Sequence, residues 1–256
     1  MRILLTNDDG IHAPGIHALH AALRECGHEV HVVAPLKENS GVSASLTLRG
    51  RLHVYDVEED GLVGQAVDGT PADCVKLALT TLLRDAPDLV VAGLNNGGNL
   101  GTDVFYSGTV GAAVEACMFG LPAAAVSRGR PAEEPPAACA AHAARLVTAF
   151  DWAGFPRGRV LNINYPRRPA AEWRGVRAAA MSLTPWSHSY DRHEEPAGQP
   201  GWELVGSVPP EDGTETDIAL VRAGWVVLTP LLLDRTDRAT LARLGTEEGG
   251  DAAPLS

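Results

Sequence analysis

The chain has few of the residues that staple, anchor or tether small proteins. Its four cysteines, Cys26, Cys74, Cys117 and Cys139, are scattered through 256 residues without CxxC spacing. That argues against a disulfide framework or a thiolate zinc site, and three of them fall in apolar helical patterns, where they read as buried thiols. Aromatic residues make up 5% of the chain and methionine occurs three times. Positive charge is also scarce: 21 Lys and Arg stand against 32 Asp and Glu, a formal charge of −11. Stable binding to duplex nucleic acid or to an anionic membrane surface needs clustered cations and is therefore not expected. A small phosphorylated ligand remains compatible, because a local pocket can oppose the global sign. No window approaches the about 18 uninterrupted apolar residues of a membrane span. The apolar stretch 1–6 runs straight into Asn7 without a signal-cleavage pattern, so the expected location is cytoplasmic. There is no Walker sequence, no GxGxxG and no internal repeat.

What the chain does have is 45% hydrophobic residues, arranged in alternating short and long runs. Strand-like stretches at 2–6, 29–35, 88–94, 123–127 and 159–164 alternate with helical patterns at 15–25, 71–84, 109–119 and 136–150. This rhythm predicts a Rossmann-like, doubly wound α/β fold with a mainly parallel sheet covered on both faces. Thr70, Pro71 and Asp73 predict a capping box at the start of the second helix, and Gly27 and Gly120 stand where helices end. The alternating run 52–57 and the run 62–67, joined around 58–61, predict a β-hairpin insertion beside the main sheet. The proline-rich, charged stretch 128–136 reads as a surface loop.

Past residue 170 the rhythm stops. Strands at 176–183 and 202–207 flanking the polar stretch 185–201 predict a β arm suited to packing on a partner subunit, and 225–229 predicts one returning strand. The tail 246–256, rich in Gly, Ala and acids, reads as flexible. The expected division is a catalytic core at 1–170 and a C-terminal extension at 171–256, within one compact unit.

The chemistry collects where strands should end. Asp8 and Asp9 follow the first strand and precede Gly10, which lets the chain leave strand geometry so that two acids converge. Held together they repel, and a divalent cation relieves that repulsion. Asn39-Ser40-Gly41 follows the second strand, Asn95-Asn96-Gly97-Gly98-Asn99 follows the third, and Ser107-Gly108-Thr109 opens a helix. Loops at the carboxyl ends of parallel strands share one edge of such a sheet. Asp8, Asp9, Ser40 and Asn95 then form a hard oxygen set suited to Mg²⁺, Mn²⁺ or Ca²⁺ and not to zinc. Asn96, Ser107, Gly108 and Thr109 offer a phosphate seat of backbone amides and hydroxyls at a helix N-terminus. Each cluster alone is an ordinary capped turn; their recurrence at successive strand ends favours a site.

These residues carry a resemblance. Thr6-Asn7-Asp8-Asp9-Gly10-Ile11, Val32-Val33-Ala34-Pro35, Ser40-Gly41-Val42-Ser43, Gly69-Thr70-Pro71-Ala72-Asp73, Gly93-Leu94-Asn95, Tyr106-Ser107-Gly108-Thr109 and Thr229-Pro230-Leu231 occur in the order found in one family. The chain resembles the SurE survival-protein family of metal-dependent 5′/3′-nucleotidases. The resemblance implies one divalent ion per subunit, Mg²⁺ or Mn²⁺, on Asp8, Asp9, Ser40 and Asn95, and an arm-exchanged homodimer or homotetramer. Lys37-Glu38-Asn39 stands where the family often carries arginines, and the C-terminal arm matches less closely than the core.

The expected activity is hydrolysis of nucleoside 5′- or 3′-monophosphates by metal-activated water, with Asp8 and Asp9 as the catalytic carboxylates and no covalent intermediate. His12 is the nearest proton donor in sequence for the leaving alcohol. His17 and His20 read as a partly exposed helix face, and His188 and His193 as part of a solvated arm. Phe105, Tyr106 and Trp186 are candidate platforms for the base. The alternatives are a non-catalytic nucleotide-binding sensor or assembly protein, a phosphatase using a covalent aspartyl phosphate, whose DxD pattern is absent, and half of a glycosyltransferase, for which the chain is too short.

Overall fold

The computed structural model describes residues 1–130, 135–184, 187–194, 198–207 and 215–245. Its first half alternates strand and helix: β1 (Arg2–Thr6), α1 (Pro14–Glu25), β2 (Glu29–Pro35), β3 (Val54–Glu59), β4 (Leu62–Val67), α2 (Pro71–Leu77), β5 (Leu89–Asn96), α3 (Gly108–Met118), β6 (Ala123–Arg128), α4 (Pro136–Ala149) and β7 (Arg159–Tyr165). There follow β8 (Val176–Ala178), β9 (Ser187–Glu194), β10 (Pro200–Ser207), α5 (Asp217–Arg222), β11 (Val226–Leu232) and α6 (Arg238–Leu244). One nine-stranded sheet has the order β3-β4-β2-β1-β5-β6-β7-β11-β8. The neighbours from β4 to β7 are all parallel, whereas β3 on β4 and β11 on β7 are antiparallel. The expected doubly wound α/β architecture is therefore present.

Strand periodicity decides which helix each residue meets. Ile3, Leu5, Val32, Ala34, Leu89 and Val91 face one layer, where α1 supplies Ile16, Leu19 and Leu23 and α4 supplies Ala140, Ala143 and Val147. Their neighbours Leu4, Val33, Val90 and Ala92 face the other, against Cys74 and Val75 of α2 and Val110, Ala113 and Ala116 of α3. Both faces are covered, so the central strands read as continuous apolar runs. Three of the cysteines, Cys74, Cys117 and Cys139, are buried in these helical layers, and burial pushes their thiols above the usual range. No helix among the described residues is long and apolar enough to cross a membrane.

The strand order places the site. From β1 the chain winds outward to β2 and β4, then returns to β5 on the opposite side of β1. The loops leaving β1 and β5 thus diverge, and an open crevice forms between their carboxyl ends. The β5–β6 register shifts between Ala92 and Asn95, a bulge that re-aims the end of β5 toward that crevice.

Several elements differ from expectation. The helix expected over 71–84 keeps its capping box but ends as α-helix at Leu77 and continues as a π-helical turn, Ala78–Leu82. The Thr80 hydroxyl donates to the Lys76 carbonyl at 2.8 Å, competing with the regular ladder. The hairpin is part of the main sheet, because β4 pairs with β2; its turn, Asp60-Gly61, has both residues at positive φ, as a two-residue hairpin requires. The arm is built differently. The partner of β10 is β9, inside the stretch expected to be polar connection, while residues 176–178 pair with β11. The sequence of β9, polar on both faces, has no period-2 apolar signal to reveal it. Tyr190, Trp202 and Leu204 are exposed on this arm. The short helices α5 and α6 were not expected. The tail 246–256 and part of the loop 128–136 lie outside the described residues.

Candidate active site

Asp8 and Asp9 leave β1 together but are held by different elements. Asp8 is 4% exposed. Its Oδ1 accepts from the Thr109 hydroxyl at 2.5 Å and its Oδ2 from the Thr109 N–H at 3.1 Å. The carboxylate thus sits on the first turn of α3, where the helix dipole favours negative charge. The approach is close enough to require glycine at the preceding position: a Cβ on Gly108 would lie 2.9 Å from the Asp8 Cβ. Asp9 is steered the other way, its Oδ2 accepting from the Asn96 N–H at 3.0 Å. Gly10, at φ +97°, makes the turn between them and α1, and the Asn7 amide closes it by donating to the Gly10 carbonyl at 2.7 Å.

The electrostatics are those of a crowded acidic seat. Burial pushes the Asp8 carboxyl up to about 6, the Thr109 bonds oppose the shift, and the Asp9 charge adds to it. Burial also raises Asp9; the Asn96 N–H holds it back, Glu38 raises it further, and Arg130 and Arg128 lower it.

The expected neutral oxygens lie on the adjoining loops. The loop carrying Ser40 is tied to the pair by the Asn39 N–H, which donates to the Asp8 carbonyl at 2.7 Å. The Ser40 hydroxyl donates to Glu38 at 2.9 Å, keeping its lone pairs for another partner. Asn95 donates through Nδ2 to the Gly97 carbonyl at 2.7 Å, which leaves its amide oxygen as the accepting end. Among the described residues no three His, Cys, Asp or Glu are grouped to hold a metal, so an ion at Asp8 and Asp9 must complete its shell with neutral oxygens such as these. A hard divalent ion fits that donor set.

The expected phosphate seat is partly committed. The Ser107 hydroxyl accepts from the Val110 N–H at 3.1 Å as the cap of α3, and both polar groups of Thr109 go to Asp8. Gly108 and Asn96 lie beside the carboxylates. Asp9, Asn96, His12, Lys37, Glu38 and Arg128 line a polar cleft of about 430 Å³. His12 bonds Glu59 through Nδ1 at 2.6 Å. His17 reaches the Ile11 carbonyl at 3.1 Å, whereas His20 is buried and burial lowers its pKa. His193 pairs with Glu203 across the arm; Phe105 and Tyr106 are exposed; Trp186 lies outside the described residues, as does the His188 side chain.

Sequence reasoning missed two groups. Arg128 and Arg130 stand close enough to Asp9 to act on its charge; applying the strand-end rule to β6 as well would have found Arg128. Beneath the 95–99 loop lies a buried polar cluster. The Asn99 carbonyl accepts from Asn162 at 2.8 Å and Asn164 at 3.0 Å, its N–H donates to Asn164 at 2.9 Å, and its amide donates to Ser127 at 2.7 Å. These bonds fix the loop that carries Asn95 and Asn96, and the paired asparagines inside the apolar run of β7 were its sequence signal.

Known proteins share this layout. The family described as Survival protein SurE matches residues 3–188. A protein named 5′-nucleotidase SurE from Nitratidesulfovibrio vulgaris is 47% identical over 252 residues, covering 97% of this chain and 93% of that protein. Its namesake from Lawsonia intracellularis is 42% identical, with 95% and 98% covered. The crystal structure of the SurE protein from Aquifex aeolicus superposes with a TM-score of 0.81 at 33% identity, covering 95% of this chain and 98% of that one. With the family pattern spanning most of the chain and full-length relatives at this identity, the chain belongs to the SurE survival-protein family.

Proposed function

We propose that the protein is a divalent-metal-dependent nucleotidase that hydrolyses nucleoside 5′- or 3′-monophosphates to nucleoside and phosphate. The observation that carries the reading is the carboxylate pair at the switch point, with Asp8 pinned by Thr109 and Asp9 by the Asn96 N–H. The relatives named 5′-nucleotidase SurE supply the substrate class. Asp8, Asp9, Ser40 and Asn95 would hold one Mg²⁺ or Mn²⁺. When bound, such an ion neutralises phosphoryl oxygens and activates water. Asp8, buried and fixed at both oxygens, serves as a rigid ligand. Asp9 lines the polar cleft and is the carboxylate we assign to orienting the attacking water. Asn96, Gly108 and Ser107 hold the phosphoryl oxygens; Thr109 contributes there by keeping Asp8 in place. Arg128, Arg130 and Lys37 offset the acidity of the whole chain for an anionic substrate.

His12 lines the same cleft and is the residue we assign to protonating the leaving alcohol. Glu59 engages its Nδ1 at 2.6 Å and fixes the ring's orientation. Loss of a general acid slows turnover by about 10²-fold or more, so an unchanged pH–rate profile in His12→Asn removes it from this role. Self-association through the β9–β10 arm, as a dimer or tetramer in the cytoplasm, belongs to the same reading, and light scattering on a variant lacking 187–207 checks it.

The experiment is phosphate release from AMP and GMP by protein stripped with chelator and then given Mn²⁺ or Mg²⁺. Release restored only by the metal is expected. Release that ignores the metal, or none from any nucleotide, contradicts the reading and leaves a nucleotide-binding protein without turnover.

A further inference from the structure

A second pocket, of about 420 Å³, is lined by residues that neighbour the site in the chain. Val104, Phe105, Val114, Met181 and Leu231 supply apolar lining, and Arg235 lines the pocket as well. It is more apolar than the cleft that holds Asp9, with a few polar groups, the combination that encloses planar organic ligands. Two links join it to the carboxylates. Ser43, three residues from Ser40, lines the pocket, donates through its N–H to the Tyr106 carbonyl at 2.9 Å and through its hydroxyl to the Phe105 carbonyl at 2.9 Å. The loop carrying a proposed metal ligand and the segment leading into Ser107 therefore form one continuous wall. Val110, also in the pocket lining, directly follows Thr109, which holds Asp8.

The pocket presents an aromatic surface. Phe105 is 42% exposed, and the Arg235 guanidinium stands 5.0 Å from its ring centroid. A heteroaromatic base can stack on such a surface and share the planar cation. Ser43 and Asp234 supply polar groups in the lining for ring nitrogens and exocyclic amines.

We propose that this pocket receives the base of the nucleotide, so that Phe105 and Arg235 are specificity-determining residues. The proposal rests on the nucleotidase reading and adds to it a division of labour: the phosphate lies at Asp8 and Asp9 while the base lies across the 40–45 loop on Phe105. The apolar lining also explains how a chain with 5% aromatic residues can grip a base at all, since one ring is backed by aliphatic side chains.

Ribose 5-phosphate, which is AMP without its base, provides the test. The wild-type protein is expected to prefer AMP by kcat/KM, and Phe105→Ala to raise the KM for AMP by roughly 5- to 100-fold, as loss of a base–aromatic stack does. Its rate on ribose 5-phosphate should be unchanged, and Phe105→Trp should recover most of the preference. Arg235→Ala, at an exposed position that does not threaten folding, should shift the AMP to ribose 5-phosphate ratio in the same direction. Calorimetric titration of adenosine into the same proteins reads the pocket independently of turnover, so a failed nucleotidase assay does not mask the answer. The proposal is overturned if Phe105→Ala and Arg235→Ala keep the wild-type ratio and adenosine affinity. It is equally overturned if both variants alter only the oligomeric mass, which would make the pocket a contact between copies.

Discussion

Asp8 carries a charge that burial makes costly without a cation, despite the two bonds it accepts from Thr109. Its chief charged neighbour is Asp9, and burial raises its pKa from 3.8 to about 6. Each displaced unit is worth about 1.4 kcal/mol, so removing the charge at neutral pH relieves at most about 3 kcal/mol in chelated protein. In Asp8→Asn the amide can donate to the Thr109 hydroxyl while its oxygen still accepts from the Thr109 N–H. Chelated Asp8→Asn should therefore unfold at a higher urea concentration than chelated wild type, by about 1–2 kcal/mol after the cost of burying an amide, yet release no phosphate with metal. A lower midpoint would show that the carboxylate stabilises the fold in its own right. The polar loops that carry Asp8, Asp9, Ser40 and Asn95, the ligands we propose, could be picked out from the sequence because a polar cluster at a strand end is a local pattern. The Thr109 to Asp8 bonds could not, since they span 101 residues and depend on the way α3 docks. For the same reason Thr109 reads locally as a phosphate contact, whereas the structure shows it holding a carboxylate.

At the scale of elements, α1 and β5 touch through a position where only glycine fits. A Cβ on Gly15 would lie 2.0 Å from the Leu94 carbonyl oxygen, and Leu94 immediately precedes Asn95. Gly15→Ala must push the end of β5 away from α1. A stability loss of at least about 1–3 kcal/mol is expected from the overpacking, with a larger fall in metal-dependent turnover than that loss alone would produce at 25 °C. Denaturant melts and steady-state rates on one preparation separate the two. A variant with normal rates would mean that β5 does not set the position of Asn95. Apolar rhythm foretold β1, β2, β5, β6 and β7 and their helices because buried parallel strands are predominantly apolar runs. It missed β9, polar on both faces, and the π turn after α2, where the Thr80 hydroxyl redirects one carbonyl.

For the molecule as a whole, buried His20 and half-buried His142 weaken the fold on the acid side. Burial lowers the pKa of His20 in α1 and of His142 in α4, and His142 bonds the Tyr165 hydroxyl at 2.9 Å. Their folded values lie below the unfolded value of about 6.5. Between those limits the unfolded chain binds more protons, so stability falls as pH drops through that window. Asp8 acts with the opposite sign in chelated protein: its contribution is full below its unfolded value and is lost as pH rises through about 6. The histidine part is isolated by comparing wild type with His142→Gln, whose urea midpoint should decline less between pH 7 and 5. Parallel declines would remove His142 from the account. The net charge of −11 acts at this same scale, and Arg128, Arg130 and Lys37 near Asp9 are the local exception on which the proposed binding of an anionic substrate relies.

The central claim is that Asp8 and Asp9 form the acidic half of a site for one divalent ion. The most direct measurement is a Mn²⁺ titration of chelated wild type and Asp9→Asn, followed by electron paramagnetic resonance. One tight ion per chain in the wild type, and an affinity reduced by about 100-fold or more in the variant, as expected when a charged ligand is lost, is the outcome the account requires. Equal binding by both proteins would contradict it.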